Sequence, residues 1–350
     1  MGRWVMGRGV VRSICVLAAV GLLAVTAGPG AAQPKLKPVG FAMPTTPPNL
    51  VHIPVWVAQD AGIFAKYGIE AKIFTFEGGP SALRALIGGG GQINVAAPGI
   101  PPFVAALAQG SELKAIGTYA VRHPVAMVAQ AEIQRCEDLR GKKIGTPGGT
   151  GAYSEVMARG MLQSCGLTPR DVSYVNISTA ARVPALATNQ IDAIVLHVDQ
   201  VYEAVKAKSS LHILGHMAQV LPRGWYAAYV TTGDQIRDDP KLLENVVMAL
   251  VEANRFIYQN RDKTIDIGVK YTKFSRDIVE KTYDDLARIG IWPVNEGLTP
   301  DLVTAGIETE VALGTINATI KPTYEQAVQW GFLRAAITKL GRWTGDARWH

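Results

Sequence analysis

Residues 36–76, LKPVGFAMPTTPPNLVHIPVWVAQDAGIFAKYGIEAKIFTF, hold the pattern that decides the fold. Leu36–Met43 reads as a strand, and Pro44-Thr45-Thr46-Pro47-Pro48-Asn49 as a loop. A helix follows from about His52 to Lys66. Pro54 suits its first turn, where a missing N–H costs nothing. Tyr67-Gly68 ends it, with Gly68 in the C-terminal cap position. Ile69–Phe76 alternates apolar residues and reads as a second strand. Strand, loop, helix and strand in succession make a βαβ unit, the building block of a parallel sheet.

Outward from this unit the pattern repeats. Glu77–Ser81 is a loop, Ala82–Ile87 a helix and Gln92–Ala96 a strand. Pro98-Gly99-Ile100-Pro101-Pro102 opens a helix through Gln109, and Leu113–Tyr119 is the next strand. Strands are also expected at Pro124–Ala129, Lys142–Gly145, Asp171–Asn176 and Ile191–Leu196, with helices at Ala152–Ser164 and Ala181–Thr188. The expected sheet is therefore mostly parallel. Beyond Thr231 the chain turns helical, over Pro240–Gln259, Ser275–Ile289, Thr299–Leu313 and Thr323–Leu340.

The 350 residues suggest about two domains at roughly 150 residues each. The formal charge is +6, and three of those charges, Arg3, Arg8 and Arg12, precede an apolar run from Ile14 to Ala27. Gly28-Pro29-Gly30 breaks the run, and Gly30-Ala31-Ala32 offers the small residues that a signal peptidase reads. Residues 1–32 are thus expected to be a cleaved export signal and the mature protein to be periplasmic. No later run reaches the ~18 apolar residues of a membrane span. No Lys/Arg stripe points to nucleic acid.

Most catalytic signatures are absent. There is no G-x-S-x-G and no H-E-x-x-H. Gly145–Gly151 is Gly-rich but lacks the Lys-Ser/Thr of a phosphate loop and the G-x-G-x-x-G spacing. The six histidines do not cluster in sequence, and solvated or hydrogen-bonded rings are the expectation. No catalytic residue, metal or cofactor is expected.

The informative feature is where the loops fall. Pro44–Asn49, Glu77–Ser81, Ala97–Pro101 and Thr146–Tyr153 each follow a strand and precede a helix. In parallel αβ sheets, ligands sit beyond the carboxyl ends of the strands. A helix start offers unpaired N–H groups and a partial positive charge. Several such ends facing one cleft would hold an anionic or strongly polar small molecule.

Val51–Glu70, VHIPVWVAQDAGIFAKYGIE, resembles the opening helix of the solute-binding proteins for sulfonates, nitrate and thiamine-type pyrimidines. Further similarities are Glu77-Gly78-Gly79-Pro80-Ser81, Leu139–Gly145, Gly166-Leu167-Thr168-Pro169, Gln190-Ile191-Asp192-Ala193 and Trp292-Pro293-Val294. The resemblance implies a type II periplasmic binding fold: two αβ lobes around a ligand cleft, with a helical C-terminal third. It also implies that the protein acts as a monomer delivering a small solute to an inner-membrane ABC permease. Crossings near Tyr119–Pro124 and Leu221–Tyr226 would give lobe one as 38–121 plus 226–350 and lobe two as 122–225.

On this reading the ligand contacts are Thr45, Asn49, His52, Gly79, Ser81, Gly99, Gly149, Thr150, Gly151, Arg182 and Trp225. The guanidinium of Arg182 suits a carboxylate or sulfonate. Trp225, at the second crossing, could stack on a flat ligand; Trp56 is expected in the core. His52-Ile53-Pro54 also resembles the segment of the pyrimidine-precursor synthases that supplies a consumed histidine. Their iron-binding cysteine run is missing here. A synthase-like enzyme and a ligand-sensing subunit of a membrane sensor are therefore the alternative functions.

Two cysteines follow the signal, Cys136 and Cys165. A helix runs back along its strand, so the start of strand 142–145 and the end of helix 152–164 share one pole of lobe two. A disulfide is expected there in an oxidising compartment; two small buried thiols are the alternative.

Overall fold

The computed structural model describes residues 36–345 and the first two residues, so the expected export signal lies almost wholly outside the described residues. Ten strands form among the described residues: β1 (Lys37–Met43), β2 (Ile69–Thr75), β3 (Val95–Ala96), β4 (Leu113–Ala120), β5 (Val125–Ala129), β6 (Lys143–Gly145), β7 (Ser173–Val175), β8 (Ala193–His197), β9 (His212–His216) and β10 (Ala227–Thr232). They make two five-stranded sheets, in the orders β2-β1-β3-β10-β4 and β7-β6-β8-β5-β9.

Each sheet has one strand that opposes both neighbours. β10 is antiparallel to β3 and β4, and β5 to β8 and β9. In each case it is the first strand laid down after the chain changes sheets. Strands entered through a helix start at the pole far from the other sheet. A strand entered directly from the other sheet starts at the near pole and must run the opposite way. The other pairs, β1 with β2 and β3 and β6 with β7 and β8, are parallel, so both sheets are mixed where a mostly parallel one was expected.

The apolar alternation of the sequence is buried accordingly. β5 and β8 are buried throughout, as strands covered on both faces should be. One core surrounds the first sheet and takes in the C-terminal helices. The second sheet has separate apolar clusters on its two faces. Helix Pro240–Gln259 starts as expected, with Asp239 accepting from the Leu242 N–H and Pro240 in the first turn. Its Asn254 and Arg255 bond the carbonyls of Pro293 and Val294, tying the segment after helix Arg276–Arg288 to the core.

Two expected helices are broken. The one over 52–66 splits into Pro54–Asp60 and Ile63–Lys66, because Gly62 takes φ +72° and turns the chain. The one over 323–340 splits into Tyr324–Ala327 and Trp330–Leu340. There Val328 bridges to Ala115 and Gln329 N–H donates to the Ala115 carbonyl, so the chain extends to satisfy the edge of β4. Helices Val198–Ala207, Gly233–Asp238 and Arg261–Thr272 are additional to the sequence reading.

Cys136 and Cys165 are joined by a disulfide, with Cα atoms 6.0 Å apart. It ties the turn Cys136–Leu139 to the end of helix Tyr153–Ser164. Among the described residues no helix is long and apolar enough to cross a membrane.

Candidate functional site

Loops from both sheets close around a small cavity of about 30 Å³. The segments around the first sheet, here the first lobe, supply Pro44, Thr45, His52, Gly78, Gly79, Gly99 and Tyr226; those around the second sheet, the second lobe, supply Val125, Pro147, Ala152, Tyr153, Ser154, Arg182, Val195 and His197. His52 sits in a tight turn after β1. Its N–H donates to the Asn49 carbonyl at 2.9 Å, and Trp292 Nε1 donates to the Val51 carbonyl at 3.1 Å, which pins the turn to the core.

A buried polar chain crosses the cavity wall. Arg182 Nη1 lies 3.3 Å from His197 Nδ1 and donates to Gln200 Oε1 at 3.1 Å. A guanidinium can only donate, so His197 Nδ1 accepts and its proton sits on Nε2. That nitrogen lies 2.9 Å from Tyr226 Oη, which in turn lies 3.0 Å from His52 Nε2. Tyr226 therefore accepts from His197 and donates to His52, joining the two lobes through three side chains.

These groups are arranged around a single positive charge. Burial lowers the Arg182 guanidinium only to about 10, so it stays charged at neutral pH. Burial, and then the Arg182 charge, lowers His52 to about 3; the Asn49 backbone opposes this. The same two causes, with His52 third, hold His197 well below its ordinary value. Both imidazoles are neutral. Arg182 is 5% exposed, and among the described residues no carboxylate lies within 4.0 Å of it. Its Nε has no hydrogen-bond partner, and neither does Thr45 Oγ1, also in the cavity wall. A buried cation with unused donors costs free energy unless an anion joins it. The charges of Asp199 and Glu77, outside ion-pair range, offset part of that cost.

The lobes also touch directly at the cavity margin. Asn49 Nδ2 and the Leu50 N–H donate to the Asp199 carboxylate at 2.8 and 2.7 Å. Thr179 N–H donates to Glu77 Oε2 at 2.8 Å, and Thr179 Oγ1 donates to the Thr46 carbonyl at 2.6 Å.

The NMT1/THI5-like family model matches residues 49–264, more than half of the chain. The chain belongs to the NMT1/THI5-like family. A putative binding protein of Brucella abortus (strain 2308) is 24% identical over 225 residues, 64% of this chain and 69% of that one. A 4-amino-5-hydroxymethyl-2-methylpyrimidine phosphate synthase of Schizosaccharomyces pombe is 27% identical over 145 residues, 40% of each chain. Among solved structures, the periplasmic nitrate-binding protein NrtA of Synechocystis PCC 6803 superposes with a TM-score of 0.71 at 14% identity, covering 89% of this chain and 90% of that one. The alkanesulfonate-binding protein SsuA of Xanthomonas axonopodis pv. citri, bound to MOPS, gives 0.64 at 17%, covering 87% and 99%. The fold is that of the type II periplasmic binding proteins.

Within this NMT1/THI5-like fold, Thr45, His52, Gly79, Gly99 and Arg182 stand together in the cavity wall. Asn49 lies just behind it, spent on Asp199. Gly99 differs from its expected role. The next N–H, that of Ile100, donates to the Tyr226 carbonyl, and Pro101 and Pro102 have none to offer. What Gly99 provides is room, since a β-carbon there would stand 2.9 Å from Tyr153 Cβ.

The remaining candidates do not line the cavity. Ser81 Oγ accepts from Arg84 and faces a surface groove shared with Glu77, Gly148 and Asn176. Gly149, Thr150 and Gly151 form a loop tip outside the lining. The Gly149 N–H donates to the Thr146 carbonyl and the Gly151 N–H to Glu155 Oε2, so the chain's own acceptors take the donors expected for an anion. Trp225 is core: its Nε1 donates to the Ala227 carbonyl and its ring meets Phe103 edge-on. Successive side chains of an extended segment point opposite ways, so Tyr226 takes the cleft position.

Tyr226, His197 and Tyr153 are the main residues missed in the sequence. Tyr153 Oη lies 2.8 Å from His123 Nδ1, and burial lowers that histidine to about 4. Each of the three had a signal: His197 follows strand 191–196 and precedes a helix, Tyr153 ends the strand-end loop 146–153, and Tyr226 ends the second crossing. Among the described residues no group of three or more His, Cys, Asp and Glu could hold a metal ion.

Proposed function

We propose that this protein is the substrate-binding component of an ABC importer, exported to the periplasm, and that it captures a small organic anion of the carboxylate or sulfonate class. Lobe one would comprise residues 38–121 and 226–350, and lobe two 122–225. The observation that carries the reading is Arg182: a buried guanidinium in the cavity wall, with Nε unpaired and no carboxylate in ion-pair contact among the described residues. The neutral His52–Tyr226–His197 chain adds orientation without adding charge. Binding proteins among the relatives and structural neighbours support capture and release over turnover.

The test is a thermal-shift screen of the mature protein at pH 7 against carboxylates, sulfonates, nitrate and neutral pyrimidines. A ligand at a hundred times its Kd adds about 2.7 kcal/mol of stability. Organic anions should raise the melting temperature and neutral pyrimidines should not. Stabilisation by neutral pyrimidines alone would overturn the reading. Co-purification with an inner-membrane permease would separate the importer from the sensor alternative.

A further inference from the structure

Asp199 occupies a position that the cavity does not use. It is the second residue of helix Val198–Ala207 and is 1% exposed, yet its carboxylate is directed at the other lobe. Oδ1 accepts from Asn49 Nδ2 at 2.8 Å and from the Gln200 N–H at 2.9 Å, and Oδ2 accepts from the Leu50 N–H at 2.7 Å. Two of these three donors belong to the turn that carries His52. Leu50 opens the short helix Leu50–His52, so its N–H has no partner inside that helix. The Arg182 charge acts on this carboxylate without an ion-pair contact among the described residues, and its direct partners are the three hydrogen-bond donors. A carboxylate buried this deeply keeps its charge only if its hydrogen bonds are supplied, and most of them come from across the cleft.

The turn 197–200 has a second task. Gln200 Oε1 accepts from Arg182, while the Gln200 N–H donates to Asp199. One turn of chain thus carries both the support of the cavity cation and the contact to the facing lobe. We propose that Asp199 is the clasp of the closed state, a positioning residue that touches no solute and sets affinity by holding turn 49–53, with His52, against lobe two. The proposal rests on the two-lobe capture reading above for its purpose, but its geometry does not depend on the solute. Thr179, with Glu77 and Thr46, makes an independent contact elsewhere on the margin, so loss of Asp199 should loosen closure without unfolding either lobe.

The experiment compares the mature protein with Asp199→Ala, Asn49→Ala and the double variant, by amide hydrogen exchange and small-angle scattering, without solute and with methanesulfonate as probe. Hydrogen bonds to a buried charge set the expected scale. In Asp199→Ala the exchange of the Leu50 amide should speed up by about tenfold to a hundredfold, and the radius of gyration should rise. Asn49→Ala should do the same to a smaller degree, and the double variant should be no looser than Asp199→Ala. Unchanged Leu50 exchange and scattering in a folded Asp199→Ala protein, or fully additive effects, would overturn the proposal. If Asp199→Ala does not fold, unchanged exchange in Asn49→Ala overturns it alone. If Asp199→Ala opens the lobes but no anion stabilises the wild type, the clasp stands and the capture reading falls. Anion binding that tolerates Asp199→Ala without loosening has the opposite meaning.

Discussion

A β-carbon built on Gly78 would stand 2.9 Å from the Cα of Gly148, so the two lobes meet backbone to backbone at this point. Both residues have positive φ, +89° and +86°. A β-carbon on Gly148 would stand 2.9 Å from Ala152 Cβ and 3.1 Å from Gly78 Cα, so replacing Gly148 with Ala should press the lobes apart and also strain the loop by about 1–2 kcal/mol. The expected result is a small drop in melting temperature with at least a tenfold weaker Kd for the anion found by screening. Calorimetric titration of the folded variant checks it. Unaltered affinity would show that the lobes need not close this far.

Arg182→Lys and Arg182→Gln separate charge from geometry. The guanidinium uses Nη1 on His197 and Gln200 and leaves Nε free. A lysine keeps the charge as a point but cannot bond Gln200, His197 and a ligand in one plane. Loss of a charge-assisted bond should weaken anion binding about tenfold or more in the lysine variant and further in the glutamine variant. Titration at low and high salt provides the measurement.

Glu310 offers a pH signature. It lies on helix Pro300–Ala312, is 2% exposed, and has Oε2 unpaired. Burial raises it to about 7, and Thr315 and the Arg159 charge oppose that. A raised carboxyl pKa means the folded state holds the proton more tightly than the unfolded one. The stability this contributes is complete below about 4.5 and is lost as pH rises through 7. Glu310→Gln removes the titration. Its stability relative to wild type should therefore improve between pH 5 and pH 8, by up to about 3 kcal/mol. Denaturant melts at both pH values test the sign, and a pH-independent difference would exclude it.

Removing the disulfide by Cys136→Ser with Cys165→Ser should cost about 3–4 kcal/mol, the chain-entropy value for a loop of this length. The bridge packs against the cluster beneath β5, β6 and β8, not against the cavity lining. Anion affinity at a temperature where the variant stays folded should be unchanged, as titration will show.

The succession of strands and helices in 36–76 was enough to specify an αβ fold and the parallel pairing of β1 with β2, because local hydrophobic period and turn residues act over a few residues. The same locality explains the reading's failures. Gly62 in a helical pattern could be tolerated or could turn the chain, and Val328 could stay helical or pair with β4; contacts distant in sequence decided both. Arg182 was legible as a strand-end cation. Nothing in its neighbourhood announced that it would be buried, or that Gln200 and His197 would hold it.

The sequence by itself determined the αβ class of this protein and its helical last third, since these follow from patterns along the chain; the two lobes were implied by the family resemblance, and five of the candidate residues stand in the cavity wall. Tertiary structure alone decided the site's chemistry. It placed Tyr226 instead of Trp225 in the cleft by a one-residue alternation. It used up the donors of Gly149 and Gly151 inside their own loop. It brought His52, Tyr226 and His197 into one chain across the lobes. Those outcomes depend on which polar groups lose water together, and that is a property of packing among segments far apart in sequence.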